Sequence, residues 1–579
     1  MSFKKITTAL LLLSFCTVFS QTYITNVSVG DVKNQKMVAN QTVQISGDRI
    51  IEINRSKKIK IPEGANVIDG KDKYLFPGMT DAHIHFFQSG GLYARPDAID
   101  LRMEMPHYKE LALAHESMET TLKRYLQVGV TNVIDVGASV SFLQQRNDFI
   151  EDDQLPSVYM TGPLLTTYEP SVYADLGDEK PFNLVQSVED GIQMVQAQLA
   201  YKPDFIKIWY ITSREPSEVE ASARKNLPIV QAIIKEAHEH NLKVAVHATQ
   251  RITAQLAVEN GCDYLVHSVD DEVVKEDFVA LLKERKTILC PTLVVHGGYV
   301  NTFSQALKIN NYDLLRSDPV QLGTLMDLRH IADTAMVNAY KTSSGSQKQQ
   351  NRLKKGDSIS MTNLKILADA GVIIATGTDA GNIGTLHASS YLNELLAMKK
   401  SGLSNWQIMQ ASTLNGAKVV GKETEFGSIE VNKKANLILL NANPIEDINN
   451  ITSIQTVFNN GLVMEPNEIL KATPADLAQR QLNAYNLRNI DAFLEPYAED
   501  VEVYNYPDEL RFKGKGTMRE GYSKMFENTP NLHCELLGRI VQGNVVIDKE
   551  RVRFGDKIME AVAIYHIEGD KIKRVYFIQ

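Results

Sequence analysis

Cysteine is scarce in this chain, with four residues among 579. Cys16 lies in the N-terminal apolar segment, whereas Cys262, Cys290 and Cys534 are far apart and show no C-x-x-C spacing. The wide separation of these cysteines argues against a disulfide framework and against a zinc site built from thiolates. We therefore expect the three later cysteines to be small core residues.

Long apolar runs are also missing, except at the N-terminus. The first 20 residues, MSFKKITTALLLLSFCTVFS, carry two lysines and then an apolar stretch that is typical of a secretory signal peptide and too short to span a bilayer. We predict cleavage after Ser20, and hence a secreted or periplasmic protein without a membrane-spanning helix. A lipoprotein anchored at Cys16 is disfavoured because bulky Phe15 precedes it.

An excess of positive charge is the third absence. The chain has 61 Lys and Arg against 70 Asp and Glu, a formal net charge of -9. This balance disfavours a nucleic acid as a partner. The length, with 44% hydrophobic and 23% charged residues, is instead typical of a globular protein made of several packed units.

Short alternating segments at both ends of the central region predict a small flanking β unit. Residues 21–76 contain "TYITNVSVGDV" and "QTVQISGDRIIEINR", separated by Gly, Asp and Asn turns. Residues 417–466 resume this pattern with "FGSIEVNKKANLILLN" and "IQTVFNNGLVM". The simplest topology pairs the two segments in one β-sandwich.

Residues 77–416 alternate compact apolar runs with segments of helical periodicity. We count eight strand candidates, among them "DFIKIWY", "KVAVHAT", "YLVHSV" and "VIIATGTDAG". Helical segments include "LPIVQAIIKEAHEHN" and "EDFVALLKERK". This alternation predicts an α/β fold, a (β/α)8 TIM barrel. Within it, polar residues 296–360 are either a lid over the site or a solvated helical excursion, and we favour the second interpretation.

The last block, residues 468–579, begins with the helical "ATPADLAQRQLNAYNLRNIDAFLEPY" and then becomes strand-rich. Its length is sufficient for an independent α+β domain. The sequence therefore predicts four parts: a signal peptide (1–20), the paired β segments, the barrel and this C-terminal domain.

The stretch "PGMTDAHIHF" places His83 and His85 at alternate positions at the end of the first barrel strand. In an extended strand, residues i and i+2 project to the same side, so both imidazoles point one way and can hold one metal ion. Taken alone, the pattern is equally compatible with two ordinary histidines on a half-buried strand. The presence of further metal-binding residues elsewhere in the chain distinguishes these interpretations.

Four more metal-binding or charged side chains occupy the predicted strand ends of the barrel: Lys207, His247, His267 and Asp379. Each has a structural alternative: a hydrogen-bonded core histidine, half of a buried ion pair, or a turn residue. Polar groups in apolar strands are costly to bury without partners, and functional groups of such barrels lie at the carboxyl ends of strands. Their joint placement therefore favours a metal centre over coincidence.

With these residues in place, the sequence resembles the amidohydrolase superfamily of metal-dependent hydrolases, close to its imidazolonepropionase-like and prolidase-like branch. The resemblance covers residues 22–466 and implies a centre of two divalent metal ions, with zinc as the default. It implies that His83, His85 and Asp379 hold one ion and that His247 and His267 hold the other. Lys207 would bridge them after its amine is carboxylated by carbon dioxide, because an ammonium has no lone pair for a cation.

The resemblance also implies the chemistry. A water held between the ions as hydroxide attacks a carbonyl, and Asp379 carries its proton to the leaving nitrogen. The expected substrate is a small-molecule amide, for example a dipeptide or a cyclic amide. Two alternatives stay open: an inactive periplasmic binding protein and a mononuclear deaminase-like enzyme. The second is weaker, because "HATQ" lacks the glutamate of deaminase-like members and Lys207 is present.

Substrate contacts are predicted in the loops after the strands. Tyr210 and Arg214 follow the fourth strand and are suited to bind a substrate carboxylate, although a solvated loop explains them equally well. His296 follows the seventh strand, and His387 follows Asp379 closely. His238, His240 and His330 lie on helical segments and are expected at the surface.

The C-terminal block resembles the SnoaL-like branch of the nuclear transport factor 2-like fold, a match of pattern with no decisive motif. The resemblance implies an apolar pocket enclosed by helices and a curved sheet. We expect this domain to bind a ligand or to hold two copies of the chain together as a homodimer.

Overall fold

The structure is a computed structural model that describes residues 21–213, 215–332 and 334–578. The predicted signal peptide and Arg214 lie outside the described residues. Among the helices described here, none is both long enough and apolar enough to cross a membrane.

Five strands open the described chain. They are β1 (Thr22–Asp31), β2 (Lys36–Ser46), β3 (Arg49–Arg55), β4 (Asn66–Asp69) and β5 (Tyr74–Pro77). β1 to β3 form an antiparallel meander, whereas β4 and β5 run parallel to β1. Alternate apolar side chains of these strands, such as Val27 and Val43, are fully buried.

Nine strands follow in the central region. They are β6 (Met79–Ile84), β7 (Val130–Asp135), β8 (Ser157–Met160), β9 (Leu164–Thr166), β10 (Phe182–Leu184), β11 (Phe205–Trp209), β12 (Lys243–His247), β13 (Tyr264–Val266) and β14 (Ile288–Cys290). All neighbouring pairs are parallel, in the orders β6-β7-β8 and β10-β9-β11-β12-β13-β14. Their carboxyl ends therefore face one side.

Helices connect these strands. They are α1 (His107–Gln127), α2 (Val140–Gln145), α3 (Val188–Leu199), α4 (Val219–Glu239), α5 (Arg251–Glu259), α6 (Glu276–Arg285), α7 (Val295–Phe303), α8 (Asn311–Arg316), α9 (Pro319–Thr324), α10 (Ala335–Gly345), α11 (Gln347–Asp369), α12 (Ser390–Lys400), α13 (Asn405–Ser412) and α14 (Leu414–Val419). The predicted seventh strand is shorter than expected, since β14 ends at Cys290 and Val295 begins a helix.

The predicted eighth strand differs most from expectation. In the described chain it forms isolated parallel bridges and no regular ladder: Ile374 pairs with Leu289 of β14, and Ala380 pairs with Ile84 of β6. These bridges place the segment between the last and the first strand of the central region. That is the position an eighth barrel strand occupies.

The polar segment 296–360 is helical from α7 to α11. It contacts the C-terminal part of the chain, where the Asn483 side chain donates to the Pro319 carbonyl at 2.6 Å and Arg329 donates to the Asn486 carbonyl at 2.9 Å. His330, expected at the surface, is half-buried there, and its Nδ1 lies 2.8 Å from Nε2 of His533.

Three strands return to the N-terminal sheet: β15 (Leu437–Leu440), β16 (Ile454–Asn459) and β17 (Leu462–Met464). The sheet order is β17-β16-β15-β5-β1-β2-β3, with β4 on β1. The two β segments thus pair through β15 and β5 in one hydrogen-bonded sheet rather than in two separate sheets. A cluster that includes Ile24, Leu75, Leu437 and Phe458 forms its core.

The C-terminal part combines four helices with a six-stranded sheet. Its elements are α15 (Pro466–Ile469), α16 (Pro474–Asn486), α17 (Ile490–Leu494), β18 (Tyr497–Asn505), β19 (Glu509–Lys513), α18 (Lys515–Asn528), β20 (His533–Gln542), β21 (Val545–Phe554), β22 (Lys557–Glu568) and β23 (Lys571–Ile578). The strand order is β19-β18-β23-β22-β21-β20. A separate apolar core lies between the helices and this sheet.

Candidate metal centre

Three potential metal ligands converge at the carboxyl end of β6. His83 and His85 lie 3.2 Å apart between their Nε2 atoms, as their alternate positions predict. Oδ1 of Asp379, from the segment between β14 and β6, lies 3.1 Å from Nε2 of His83 and 3.2 Å from Nε2 of His85. All three side chains are buried.

These distances fit a bound cation. Ligands about 2.0–2.1 Å from a tetrahedral zinc ion are separated from one another by roughly 3.3 Å. Nδ1 of His83 is buried without a hydrogen-bond partner among the described residues, so only Nε2 of that ring meets polar groups. Two imidazole nitrogens and a carboxylate oxygen, all aimed at one point, form a donor set suited to zinc or a related divalent ion.

Neighbouring groups orient the histidine rings. Nδ1 of His85 lies 2.8 Å from the Gly137 carbonyl, which makes Nδ1 the protonated nitrogen and leaves the Nε2 lone pair for a metal. Nδ1 of His267 lies 2.6 Å from Oγ1 of Thr292. The backbones of His267 and Asp379 adopt φ values of 76° and 60°, a left-handed conformation that is uncommon for residues other than glycine.

A second group of predicted ligands adjoins the first. The rings of His247 and His267, from the ends of β12 and β13, are 4.4 Å apart, and the His267 ring lies 5.0 Å from that of His83. Lys207 lies on β11, two residues before Trp209, which is in register with His247. Lys207 interacts electrostatically with His83, His247 and Asp379, so the structure brings all six predicted ligands together.

Lys207 is the least conventional member of this group. Its residue is 1% exposed, and its amine makes neither a hydrogen bond nor an ion pair with the residues that the structure describes. Burial lowers the pKa of Lys207 to about 7, and the negative charge of Asp379 opposes that shift. A buried lysine with a lowered pKa offers a neutral, nucleophilic amine, the form that reacts with carbon dioxide.

Asp379 is held as a carboxylate. Burial by itself raises its pKa, but the adjacent His83, His85 and His267 outweigh burial and hold the pKa of Asp379 well below its usual range. For His83 the balance is the reverse, because burial lowers its pKa to about 4 despite the neighbouring carboxylate. Neutral imidazole and ionised carboxylate are the forms that bind metals.

Sequence reasoning missed Asn382, which contacts Asp379 directly. The Asn382 amide donates to Oδ1 of Asp379 at 2.7 Å, while its own carbonyl oxygen accepts from Arg95 and from Tyr299, each at 2.6 Å. Arg95 is itself bound to Asp97. Asn382 follows Asp379 by three residues, but Arg95 and Tyr299 come from distant parts of the chain, so no local pattern indicates that they hold the Asn382 side chain.

The structure places the predicted substrate contacts in different environments. Tyr210 is buried, and its hydroxyl donates to the Ala223 carbonyl. His296 is exposed on α7 beside a small cavity that His267 also lines. His387 is buried, with Nδ1 3.1 Å from the Tyr125 hydroxyl and Nε2 2.9 Å from the Gln88 carbonyl. Arg214 lies outside the described residues.

A large cavity opens at the carboxyl ends of β11 and β12. Its volume is about 1320 Å³, and its lining includes Trp209, Tyr210, His247 and Arg352. Because His247 belongs to both the predicted ligand group and the cavity wall, the cavity adjoins the candidate metal centre. Arg352 brings a positive charge from α11, which the sequence pattern did not single out.

Two family models match the chain. Residues 74–464 match the model of the amidohydrolase family, and residues 478–575 match that of the SnoaL-like domain.

Two curated relatives match over most of their length. An imidazolonepropionase from Alkaliphilus metalliredigens is 21% identical over 461 residues, which cover 76% of this chain and 94% of the relative. A 5-methylthioadenosine/S-adenosylhomocysteine deaminase from Carboxydothermus hydrogenoformans is 23% identical over 434 residues, which cover 72% of this chain and 84% of the relative.

Solved structures share the fold. A prolidase complexed with N-methylphosphonate-L-proline superposes with a TM-score of 0.58 at 22% identity, covering 77% of this chain and 99% of the prolidase. The A. niger ochratoxinase has a TM-score of 0.57 at 18% identity, covering 77% of this chain and 96% of that enzyme. These likenesses imply a TIM barrel for the central region.

Proposed function

Because this chain belongs to the amidohydrolase family, we propose that it is a binuclear metal-dependent hydrolase that cleaves a C–N bond in a small amide. Both resemblances predicted from the sequence, to the amidohydrolase superfamily and to SnoaL-like domains, are confirmed by the family matches. The observation that carries the proposal is the convergence of His83, His85 and Asp379, whose ligand atoms all lie within 4.8 Å of one another.

The ligand assignment follows from the neighbours of each residue. His83, His85 and Asp379 would hold one divalent ion, and His247 and His267 would hold the second. Lys207, carboxylated on Nζ, would contribute ligand atoms to both ions. Bound divalent ions supply Lewis-acid activation of water and of the scissile carbonyl.

Asp379 is the residue proposed to move the proton. Its carboxylate stays ionised beside the histidines, so it can accept the proton of the attacking water and return it to the leaving nitrogen. The Asn382 amide, at 2.7 Å from Oδ1, fixes the carboxylate during this transfer. The Gly137 carbonyl and Oγ1 of Thr292 engage Nδ1 of His85 and of His267, which leaves Nε2 of each ring for a metal ion.

The proposed substrate is a small amide, either a dipeptide or a cyclic amide. The cavity of about 1320 Å³ holds a molecule of that size, and Trp209 and Tyr210 provide its aromatic wall. Arg352 is the candidate partner for a substrate carboxylate. We do not include His387 among the substrate contacts, because protein groups engage both of its ring nitrogens.

A mononuclear deaminase-like enzyme is the second candidate. Two deaminases are among the matched relatives, one of them 35% identical over 86 residues, which cover 13% of this chain and 20% of the relative. The burial of Lys207 argues against this alternative, because a mononuclear centre has no use for an unpaired amine in the core. The number of metal ions per chain separates the two candidates.

The test is metal content by elemental analysis on protein that begins at Gln21, together with Lys207→Ala and hydrolysis of a dipeptide and cyclic-amide library. Lys243→Ala is the matched control. Lys243 is also a partly buried β-strand lysine, but its amine donates to the Lys418 and Val419 carbonyls.

We expect about two ions per chain in the parent protein and in Lys243→Ala. Lys207→Ala should lose at least one ion and at least about a hundredfold of activity. One ion in the parent protein, unchanged in Lys207→Ala, would favour the mononuclear alternative. No ion and no hydrolysis would favour a binding protein.

A further inference from the structure

Helix α7 is the element of the insertion that meets the candidate metal centre. Its Tyr299 hydroxyl donates to Oδ1 of Asn382 at 2.6 Å, and the Asn382 amide donates to Oδ1 of Asp379 at 2.7 Å. Close backbone packing accompanies this hydrogen bond, because a Cβ added at Gly298 would lie 2.9 Å from the Ile383 carbonyl oxygen. The backbone of α7 therefore lies directly against the loop that follows Asp379.

The other end of α7 is connected to the C-terminal domain through two side chains. The Gln305 amide, two residues after α7, donates to the Thr302 carbonyl at 2.7 Å. Oε1 of Gln305 accepts from Nε of Arg329 at 3.1 Å. Nη1 of Arg329 donates in turn to the Asn486 carbonyl at 2.9 Å. A continuous series of hydrogen bonds therefore runs from the C-terminal domain to the last turn of α7.

The Asn486 carbonyl is well suited to receive a cation. Asn486 is the last residue of α16, where carbonyl groups lack partners inside the helix and the helix dipole favours positive charge. The Asn486 side chain also fixes this helix end to β20, since its amide donates to the Cys534 carbonyl at 2.9 Å and its carbonyl oxygen accepts from the Cys534 backbone nitrogen at 2.7 Å. Arg329 therefore meets an acceptor that the C-terminal domain holds in place.

An apolar cluster joins the same three parts of the chain. It contains Phe303 from α7 together with Ile383 and Leu386 from the loop after Asp379, and Leu487 of the C-terminal domain packs against it. Close-packed interiors transmit displacements from one element to the next. A shift of α7 on the C-terminal domain would therefore also shift the loop beside the metal centre.

We propose that the C-terminal domain is a positioning element of the candidate metal centre and that Arg329 is the positioning residue through which it acts. Arg329 fixes the end of α7 on the C-terminal domain, and α7 in turn holds Asn382 and, through it, Asp379. The inference rests on the proposed metal centre. It gives the C-terminal domain a role that requires neither a ligand nor a second copy of the chain.

Arg329→Met tests this role in the full chain from Gln21, because methionine retains an apolar stem and removes every donor. The affinity for Co²⁺, measured by competition with a chelator, should fall about threefold to tenfold. The visible absorption spectrum of bound Co²⁺ should also change, because it depends on the arrangement of the ligands and Asp379 is displaced. Arg329→Lys retains a cation with donors and should restore part of the affinity.

Hydrogen exchange measured by mass spectrometry on the metal-free protein gives a readout that needs neither metal nor activity. In Arg329→Met, the amides of α7 and of residues 380–388 should exchange faster than in the parent. The amides of β22 and β23, which lie in the sheet of the C-terminal domain, should be unchanged. A general loss of stability would instead accelerate exchange in all of these segments.

Arg480→Met is the matched control. Nη2 of Arg480 donates to the Leu315 carbonyl at 3.4 Å, so this cation also connects the C-terminal domain to the insertion, but Leu315 belongs to α8 rather than to α7. Co²⁺ affinity, the Co²⁺ spectrum and exchange in α7 should therefore match the parent. Combining Arg329→Met with Tyr299→Phe should reduce affinity by less than the product of the two separate effects, because both substitutions act on the same contact of α7.

The inference is overturned if Arg329→Met, shown to be folded by far-ultraviolet circular dichroism, matches the parent in Co²⁺ affinity, Co²⁺ spectrum and exchange. Arg329→Lys takes its place in this comparison if Arg329→Met does not fold. The inference is also overturned if Arg480→Met produces the same changes, since loss of either cation would then be sufficient. A parent protein that binds no Co²⁺ would reject the proposed function, and hydrogen exchange would then decide by itself whether Arg329 holds α7.

Discussion

At the scale of single residues, the candidate centre depends on how Asp379 is held. Oδ1 of its carboxylate contacts His83, His85 and the Asn382 amide, and Oδ2 lies 4.0 Å from Nδ1 of His267. The amide is in turn fixed by Arg95 and Tyr299, so the orientation of the carboxylate is set by residues that are distant along the chain. Such supporting hydrogen bonds tune metal affinity and activity.

Replacing Asn382 with Ala should therefore lower metal affinity or hydrolytic rate by about 10–100-fold. The reason is that Oδ1 of Asp379 loses its donor and the Arg95 and Tyr299 donors lose their acceptor. Competition with a chelator measures the affinity, and initial rates on the best library substrate measure activity.

Tyr299→Phe is the graded comparison, because it removes one of the two donors to Asn382 and leaves the amide in place. We expect a smaller loss, within about tenfold. Equal metal affinity and activity in the parent and Asn382→Ala would show that the amide does not position Asp379.

At the scale of elements, the segment between β14 and β6 carries Asp379 without forming a regular strand. Gly377 explains how it fits. A Cβ at this position would lie 2.5 Å from Sγ of Cys290 and 2.7 Å from the backbone nitrogen of His83. The segment therefore approaches both neighbouring strands more closely than any residue with a side chain allows, and this approach brings Asp379 to His83.

Gly377→Ala should destabilise the protein by about 1–3 kcal/mol, because the contacts it would make are with backbone and with a buried thiol in a packed core. The displacement of His83 should also reduce metal content. Denaturant unfolding gives the stability, and elemental analysis gives the metal.

Gly356→Ala is the opposite case on a neighbouring element. Gly356 lies inside α11, and the position that an added methyl group would take is surrounded by open space, so alanine should stabilise the helix by about 0.5–1 kcal/mol. If both substitutions had the same small effect, close packing at Gly377 would not be what constrains the segment.

At the scale of the whole molecule, the insertion 296–360 joins the barrel to the C-terminal domain. His330 and His533 face each other across this contact with their rings 5.2 Å apart. Burial lowers the pKa of His533 to about 3, and His330 and two arginines, Arg329 and Arg553, add to the effect. Burial likewise lowers the pKa of His330, against the opposing charges of Glu535 and Glu104.

The lowered pKa values of the two histidines determine how the stability of the protein depends on pH. Between about pH 6.5 and the lowered pKa values, the unfolded chain binds protons that the folded contact excludes. Stability from this pair is therefore fully present above about pH 6.5 and is lost as the pH falls toward 3.

We expect His533→Gln to reduce the fall in melting temperature between pH 7 and pH 5 by a few degrees, on the order expected for one histidine. His240→Gln is the control, since His240 is an exposed histidine directly after α4 that pairs with Glu236 of that helix. If the melting temperature changed with pH identically in the parent and in His533→Gln, the histidine contact would not be the cause of the fall.

The sequence by itself determined the class of the barrel and the family, because both depend on the local order of residue types along the chain. Alternating imidazoles end the first strand, and metal-binding residue types recur where later apolar runs end, as strand geometry and parallel topology require. The same local logic predicted the helical C-terminal start and its strand-rich continuation.

Only the tertiary structure decided how the centre is held together. Gly137 and Thr292 contact the histidines from separate segments, and Arg95 and Tyr299 reach Asn382 in the same way, through contacts that no local period encodes. The same holds for His387, whose ring nitrogens contact the Tyr125 hydroxyl and the Gln88 carbonyl. Local sequence specifies which face a side chain takes, whereas packing of separate elements specifies which partner that side chain meets.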